Sequence, residues 1–218
     1  MKRALLTCII LLSLVALRCA AQVVTDTLFT IQPVPTDVRG RMTGKSYPEG
    51  CTVAWEELRY LRVMHRNAEG KALRGELVCN RLIAEDLLDI FKKLFEAGYP
   101  IERITLIDDY EADDETSMAA NNTSCFCFRK VAGSQRLSAH SRGLAVDINP
   151  LYNPCVRTKA NGTRVVQPAT GKPYARRTLS HPYMIKAEDL LCRLMKQHGF
   201  RWGGAWRSLK DYQHFEKQ

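Results

Sequence analysis

Histidine is scarce in this chain, with five among 218 residues, so any metal site built on imidazole draws on a short set. The cysteines show no two-residue spacing of the zinc-knuckle kind. Cys125 and Cys127 are separated by one residue and no second pair follows, which argues against a Cys-rich metal site. Internal repeats and low-complexity tracts are absent, which excludes a repeat array. The Lys and Arg residues are scattered and form no recognised nucleic-acid motif, so nucleic acid is set aside as a partner. Beyond residue 21 no stretch has the length and apolarity of a membrane span, which leaves no expectation of stable membrane insertion.

Residues 1–21 stand apart from the rest. Lys2 and Arg3 form a basic start, Ala4 to Leu17 is an apolar run, and Cys19-Ala20-Ala21 ends in small residues before Gln22. This is the pattern of a secretory signal peptide cleaved after Ala21, and it predicts an exported protein of the periplasm, cell envelope or extracellular space. A lipoprotein anchor at Cys19 is the competing reading. Arg18 stands where small residues are usual and argues against it. Loss of Lys2, Arg3 and Arg18 lowers the formal net charge from +9 to +6, a modest basic excess that suits anionic envelope polymers. Six cysteines then remain: Cys51, Cys79, Cys125, Cys127, Cys155 and Cys192. In an oxidising compartment these predict disulfides, whose connectivity the spacing leaves open.

The rest has the composition of one globular domain, 45% apolar and 25% charged. Residues 22–50, with Pro33, Pro35 and Pro48, read as an extended N-terminal arm, which places the domain at 51–218. Leu58–Met64 and Gly75–Cys79 read as two strands of a hairpin, with a turn at 67–70. Asn80 is a candidate cap for a helix over 81–97, where apolar residues recur at 83, 87, 90, 91, 94 and 95 before Gly98 and Pro100. Ile101–Ile107 and Cys125–Lys130 read as strands and Ile185–Gln197 as a second helix. The acid-dense stretch Asp108–Glu115 lacks the spacing of a calcium loop and reads as solvated. The pattern predicts an α+β fold: a small, mainly antiparallel sheet with two helices beside it.

The chemistry concentrates in two stretches. The first is Ser138-Ala139-His140-Ser141-Arg142-Gly143-Leu144-Ala145-Val146-Asp147-Ile148. His140 and Asp147 are seven apart, so an unbroken strand would point them to opposite faces. On a helix they would lie two turns apart. The chain must therefore turn between them, and Gly143 has the freedom to do it. The reading is a loop carrying His140, a turn at Gly143, and a short buried strand with Asp147 near its end. The second stretch is Asp211-Tyr212-Gln213-His214-Phe215-Glu216. Among the other four histidines, only His214 has an acid three residues before it, a pairing that suits a ligand and a general base flanking one metal.

S-x-H-x-x-G-x-A-x-D-I followed by D-x-x-H-F-E resembles the zinc D-alanyl-D-alanine carboxypeptidase family. Its relatives include VanY-type carboxypeptidases, D-Ala-D-Ala dipeptidases and L-alanyl-D-glutamate endopeptidases, which cut peptidoglycan peptides. The resemblance implies a zinc cleft on the sheet, one Zn²⁺ per chain held by His140, Asp147 and His214, and Asp211 as catalytic base. Two His and one carboxylate leave the fourth zinc position open, as catalytic sites do. Some relatives carry Glu where this chain has Asp211, a departure that favours the endopeptidase-like branch over the dipeptidases.

The resemblance also implies a substrate-facing Arg129, either stabilising the oxyanion or clamping a substrate carboxylate. Ser138 would bond substrate; its bland alternative is to cap the turn. Trp202, Trp206 and Tyr212 either line a substrate groove or belong to the core, and core is preferred for Trp202. Glu216 reads as a supporting or surface residue, not a ligand. The implied partners are peptidoglycan stem peptides. The rival is a non-catalytic zinc-containing binding module, since the Hedgehog signalling domain resembles this family in its metal site yet serves binding.

Overall fold

The computed structural model describes residues 28–131, 134–207 and 209–218. The expected leader at 1–21, with Cys8 and Cys19, lies outside these residues. Among the described residues, no helix is long and apolar enough to cross a membrane.

The hairpin forms as its alternation predicts. Strands β2 (Leu58–Arg66) and β3 (Ala72–Asn80) pair antiparallel from Leu58↔Asn80 to Arg66↔Ala72. The turn closes on Asn67, whose backbone and side-chain oxygens accept from the Gly70 and Lys71 N–H groups. One face of the hairpin presents Leu61, Val63, Leu77 and Cys79 to the main core. Helix α2 (Ala84–Glu96) covers that face with the stripe Leu87, Ile90, Phe91 and Leu94. Burying each such side chain is worth about 1.5–3 kcal/mol. The helix starts later than its periodicity suggests. Asn80 is still in β3 and accepts from Leu82 N–H, so it caps the turn that leads into α2.

The first correction concerns the N-terminal arm. Strand β1 (Thr30–Pro33) pairs antiparallel with β2, and helix α1 (Thr36–Met42) buries Val38 and Met42. With Val34, these fill a second core with Leu58, Val78, Leu106 and Phe126 on the other side of the hairpin. The prolines do not keep this segment out of the fold. Pro33 ends an edge strand, where its missing N–H costs no ladder bond, and Pro35 precedes the first helical turn. The domain therefore begins before residue 51.

The mixed α+β class holds, but not as one sheet. β4 (Arg103–Ile104) pairs in parallel with β5 (Asn122–Thr123), which follows helix α3 (Asp114–Ala119). β6 (Ala145–Asp147) and β9 (Arg201–Trp202) flank β11 (His214–Glu216). β7 (Cys155–Thr158) lies between β8 (Arg164–Gln167) and β10 (Leu209–Asp211). Helix α4 spans only Leu190–Gln197, where the Asp189 side chain accepts from Cys192 N–H and sets the start. The expected strand at 101–107 shrinks to β4. The 125–130 segment stays outside the ladders, with its N–H groups spent on Val78, His140 and Ser46 carbonyls.

The second correction concerns the cysteines. All six in the described residues are free thiols, and no disulfide joins them. Cys79, Cys125 and Cys192 serve instead as small apolar side chains of the main core.

If residues 30–42 are integral to the fold, Met42→Ala should destabilise the protein by about 2–5 kcal/mol. Urea unfolding followed by fluorescence measures this, and a loss below about 0.5 kcal/mol would restore the arm to a linker.

Candidate metal centre

The turn before β6 forms as its residues dictate. Ala139–Arg142 is one 3-10 turn, and Gly143 ends it at φ +65°. A side chain at Gly143 would be strained by that backbone, and its Cβ would stand 2.6 Å from Asn80 N. The Gly143 carbonyl accepts from the Asn80 N–H at 2.9 Å, which locks the turn to the end of β3. Ser138 caps the turn by accepting from the His140 N–H. The Ser141 hydroxyl ties the turn to Arg129: it accepts from the Arg129 N–H and donates to the Arg129 carbonyl.

Register then brings Asp147 to His214. The two are directly opposed across β6 and β11, so both side chains leave the same face. Their neighbours Val146 and Phe215 enter the core on the other face. His140 reaches the pair from the turn. His214 Nδ1 lies 3.0 Å from Asp147 Oδ1, His140 Nε2 lies 3.2 Å from His214 Nδ1, and His140 Nε2 lies 3.3 Å from Asp147 Oδ1. All three residues are buried, and among the described residues they are the group able to hold a metal ion.

The second nitrogen of each ring fixes what the first presents. His140 Nδ1 stands 2.6 Å from the Cys125 carbonyl oxygen. That oxygen only accepts, so Nδ1 carries the proton and a neutral ring leaves Nε2 bare. His214 Nε2 stands 3.4 Å from Glu216 Oε2, so it donates there, and in the neutral ring Nδ1 is bare. Two bare nitrogens and a carboxylate oxygen thus converge on one point, an arrangement that needs a cation. Bonds of about 2.0–2.1 Å at tetrahedral angles place ligand atoms about 3.3–3.4 Å apart, close to the spacings found. Glu216, read from sequence as a support, is seen to orient His214.

With a proton as the only cation, the same geometry shifts His214. Burial works against its charge, but hydrogen bonds to Asp147 and Glu216 prevail and push its pKa up to about 10. Burial would raise Asp147, yet the two imidazoles hold it well below the usual carboxylate range.

Asp211 ends β10 beside this group without joining it. The residue is half-buried, but its Oδ1 is shut off from solvent and has no hydrogen-bond partner. Burial, with the Asp147 charge adding, pushes its pKa up to about 6, against the pull of His214, Gln213 and His140. Gly203 makes room for it. A Cβ there would stand 2.7 Å from the Asp211 carbonyl oxygen, 2.9 Å from its Cβ and 3.3 Å from that of His214.

Arg129 pairs with Asp114 at the start of α3. This corrects the solvated reading of the acidic stretch. Asp108 is buried and accepts from the Ser46 N–H and hydroxyl, and Asp114 faces the centre. Burial raises the Asp114 carboxyl, with Asp147 adding, against Arg129 and His140. Trp206 lies 5.3 Å from the His214 ring, while Trp202 packs on Phe215 and donates to the Tyr212 carbonyl. The remaining histidines have other work: His65 meets the Ile101 carbonyl, His181 stacks on Tyr152, and His198 bridges Asp86 and Asp89.

Two recesses lie away from this group. One of about 370 Å³ is lined by Thr43, Tyr47, Cys51 and Trp55, and one of about 400 Å³ by Tyr99, His181, Met184 and Asp189. Neither includes a residue of the trio.

A buried His-Asp-His group able to hold a metal ion thus has a carboxylate just outside it. Residues 132–217 match a family model described as D-alanyl-D-alanine carboxypeptidase, and both motifs fall inside that stretch. Over these residues the chain is similar to that peptidase family. Comparison with curated proteins and with solved structures gave no significant match.

Metal titration of the purified protein should load about one equivalent per chain, read by elemental analysis, and His140→Ala should lose it. A fully loaded His140→Ala protein would remove His140 from the ligand set. Glu216→Ala should keep the fold and weaken metal affinity about 10–100-fold, measured by competition with a chelator.

Proposed function

We propose that the protein is a zinc peptidase that hydrolyses peptidoglycan stem peptides, with His140, Asp147 and His214 as zinc ligands and Asp211 as general base. The observation that carries this reading is Asp211. A carboxylate enclosed beside the trio, with one oxygen unpartnered, is costly to maintain in a purely structural role. It suits a group that must accept a proton. A binding module has no need of it.

Zinc held by the trio would supply Lewis acidity for a carbonyl oxygen and for water. The chain's own residues do the rest. Cys125 and Glu216 fix the tautomers of His140 and His214, so both rings present bare nitrogens. Asp211 takes the proton of the attacking water at its carboxylate and returns it to the leaving amine. Arg129 stands near enough for its charge to act on Asp147, which suits stabilisation of negative charge on substrate, and Asp114 holds its guanidinium in place. We place the protein outside the cytoplasm on the strength of residues 1–21, where its substrate is found.

The test pairs two variants. Asp211→Ala should keep its zinc and lose about 10²–10⁴-fold in turnover, while His214→Ala should lose zinc and turnover together. Near-normal cleavage by zinc-loaded Asp211→Ala would place the base elsewhere. The fragments distinguish the two activities: loss of terminal D-Ala marks a carboxypeptidase, and release of L-Ala from D-Glu an endopeptidase. Because Asp211 must be ionised to act, kcat/KM should fall on acidification. The midpoint should lie at or below about 6, since bound zinc lowers the pKa of a nearby carboxyl. A parent protein inert on several peptidoglycan types would favour the binding module.

A further inference from the structure

The β10–β7 pairing sets Cys155 directly opposite Asp211. Residues opposed in an antiparallel ladder share a face, with Cβ atoms about 4.5–5.5 Å apart. The thiol is near enough for the Asp211 charge to act on it. Neither Cys155 nor β7 belongs to the two motifs, and the pairing alone brings this thiol to the centre.

We propose that Cys155 is a positioning residue for the general base: its S–H holds the Asp211 carboxylate in the rotamer that leaves Oδ1 free toward the trio. The proposal rests on the role assigned to Asp211 above. A carboxylate at the end of a three-residue strand has few restraints. Gly203 bounds it on one side by backbone contact. Gln213 lies near enough to act on it, but its amide donates to the Met118 sulfur at 3.4 Å. Cys155 supplies a donor from a different strand, fixed by ladder register and not by a flexible loop. The contact also acts in reverse. Burial, reinforced by the Asp211 charge, keeps the thiol protonated, so the free cysteine stays a donor and is a poor nucleophile or redox centre.

Two measurements test this. The first is turnover of the zinc-loaded protein. Cys155→Ala should lower kcat by between about 3-fold and 10²-fold with KM and zinc content unchanged. Cys155→Ser keeps an O–H donor and should recover to within about 3-fold of the parent. Parental kcat in Cys155→Ala would overturn the proposal. So would a Cys155→Ser variant no better than Cys155→Ala, since the thiol would then act only by filling space. The second measurement needs no activity. Alkylation of Cys155 by iodoacetamide, followed by peptide mass mapping, should run at least about 3-fold faster in Asp211→Asn than in the parent, because the neutral amide no longer disfavours the thiolate. Equal rates would show that the two groups do not interact. A parent that fails to cleave peptidoglycan removes the base and with it the catalytic role of Cys155, while faster alkylation in Asp211→Asn would still establish the contact.

Discussion

Three hydrogen-bond acceptors cannot be packed against one another in a protein interior without a positive charge between them. His140 Nε2, His214 Nδ1 and Asp147 Oδ1 stand 3.0–3.3 Å apart, and the local architecture maintains that arrangement. The Cys125 carbonyl and the Glu216 carboxylate take the other ring protons. Gly143 permits the turn that swings His140 back over β6. The pairing of β6 with β11 sets Asp147 against His214, while Val146 and Phe215 anchor the same strands in the core. The apolar anchoring and the polar convergence are two faces of one short sheet, so packing errors on one side would be felt as ligand misplacement on the other.

Much of this was legible in the sequence because it is local. The seven-residue interval, the glycine within it and the apolar run after it determined a turn followed by a buried strand, and that is what forms. The hairpin and α2 were legible for the same reason, since their signals are periodic and self-contained. What was not legible depends on pairing across long separations. Nothing in the acid-dense run distinguishes Asp114, which faces the centre, from its solvated neighbours. Cys155 sits in what reads as a long loop, and only the partnership of β7 with β10 gives it meaning. The segment 28–50 looked like an arm because its prolines and short length weaken any helix or strand signal. Its burial comes from the unpartnered edge of β2 and the apolar back of the hairpin, which no local pattern announces.

The cysteines show the same limit from another direction. Composition and the leader expected at 1–21 together suggest cross-linking, but the six described cysteines are free thiols. Three fill the core, and Cys155 faces a carboxylate. Cysteine count is a property of the whole chain, whereas a disulfide requires two particular positions in register. The role left to Cys155, a weak donor held protonated, is one that a serine hydroxyl would also fill.

His140 is separated from His214 by 74 positions and Asp147 from His214 by 67. An ion bound by all three ties the ends of a long polymer loop that contains β7, β8, α4, β9 and β10. In an unfolded chain, bringing such distant points together costs entropy that grows only slowly with loop length. Such an ion would act as a reversible clasp across more than a quarter of the chain. The hairpin, α2 and the segment 28–50 lie wholly outside that loop, but the main core joins the two parts through Ile148, Leu191, Met195 and Phe200, so an ion held there would add to a cohesion that apolar packing already supplies.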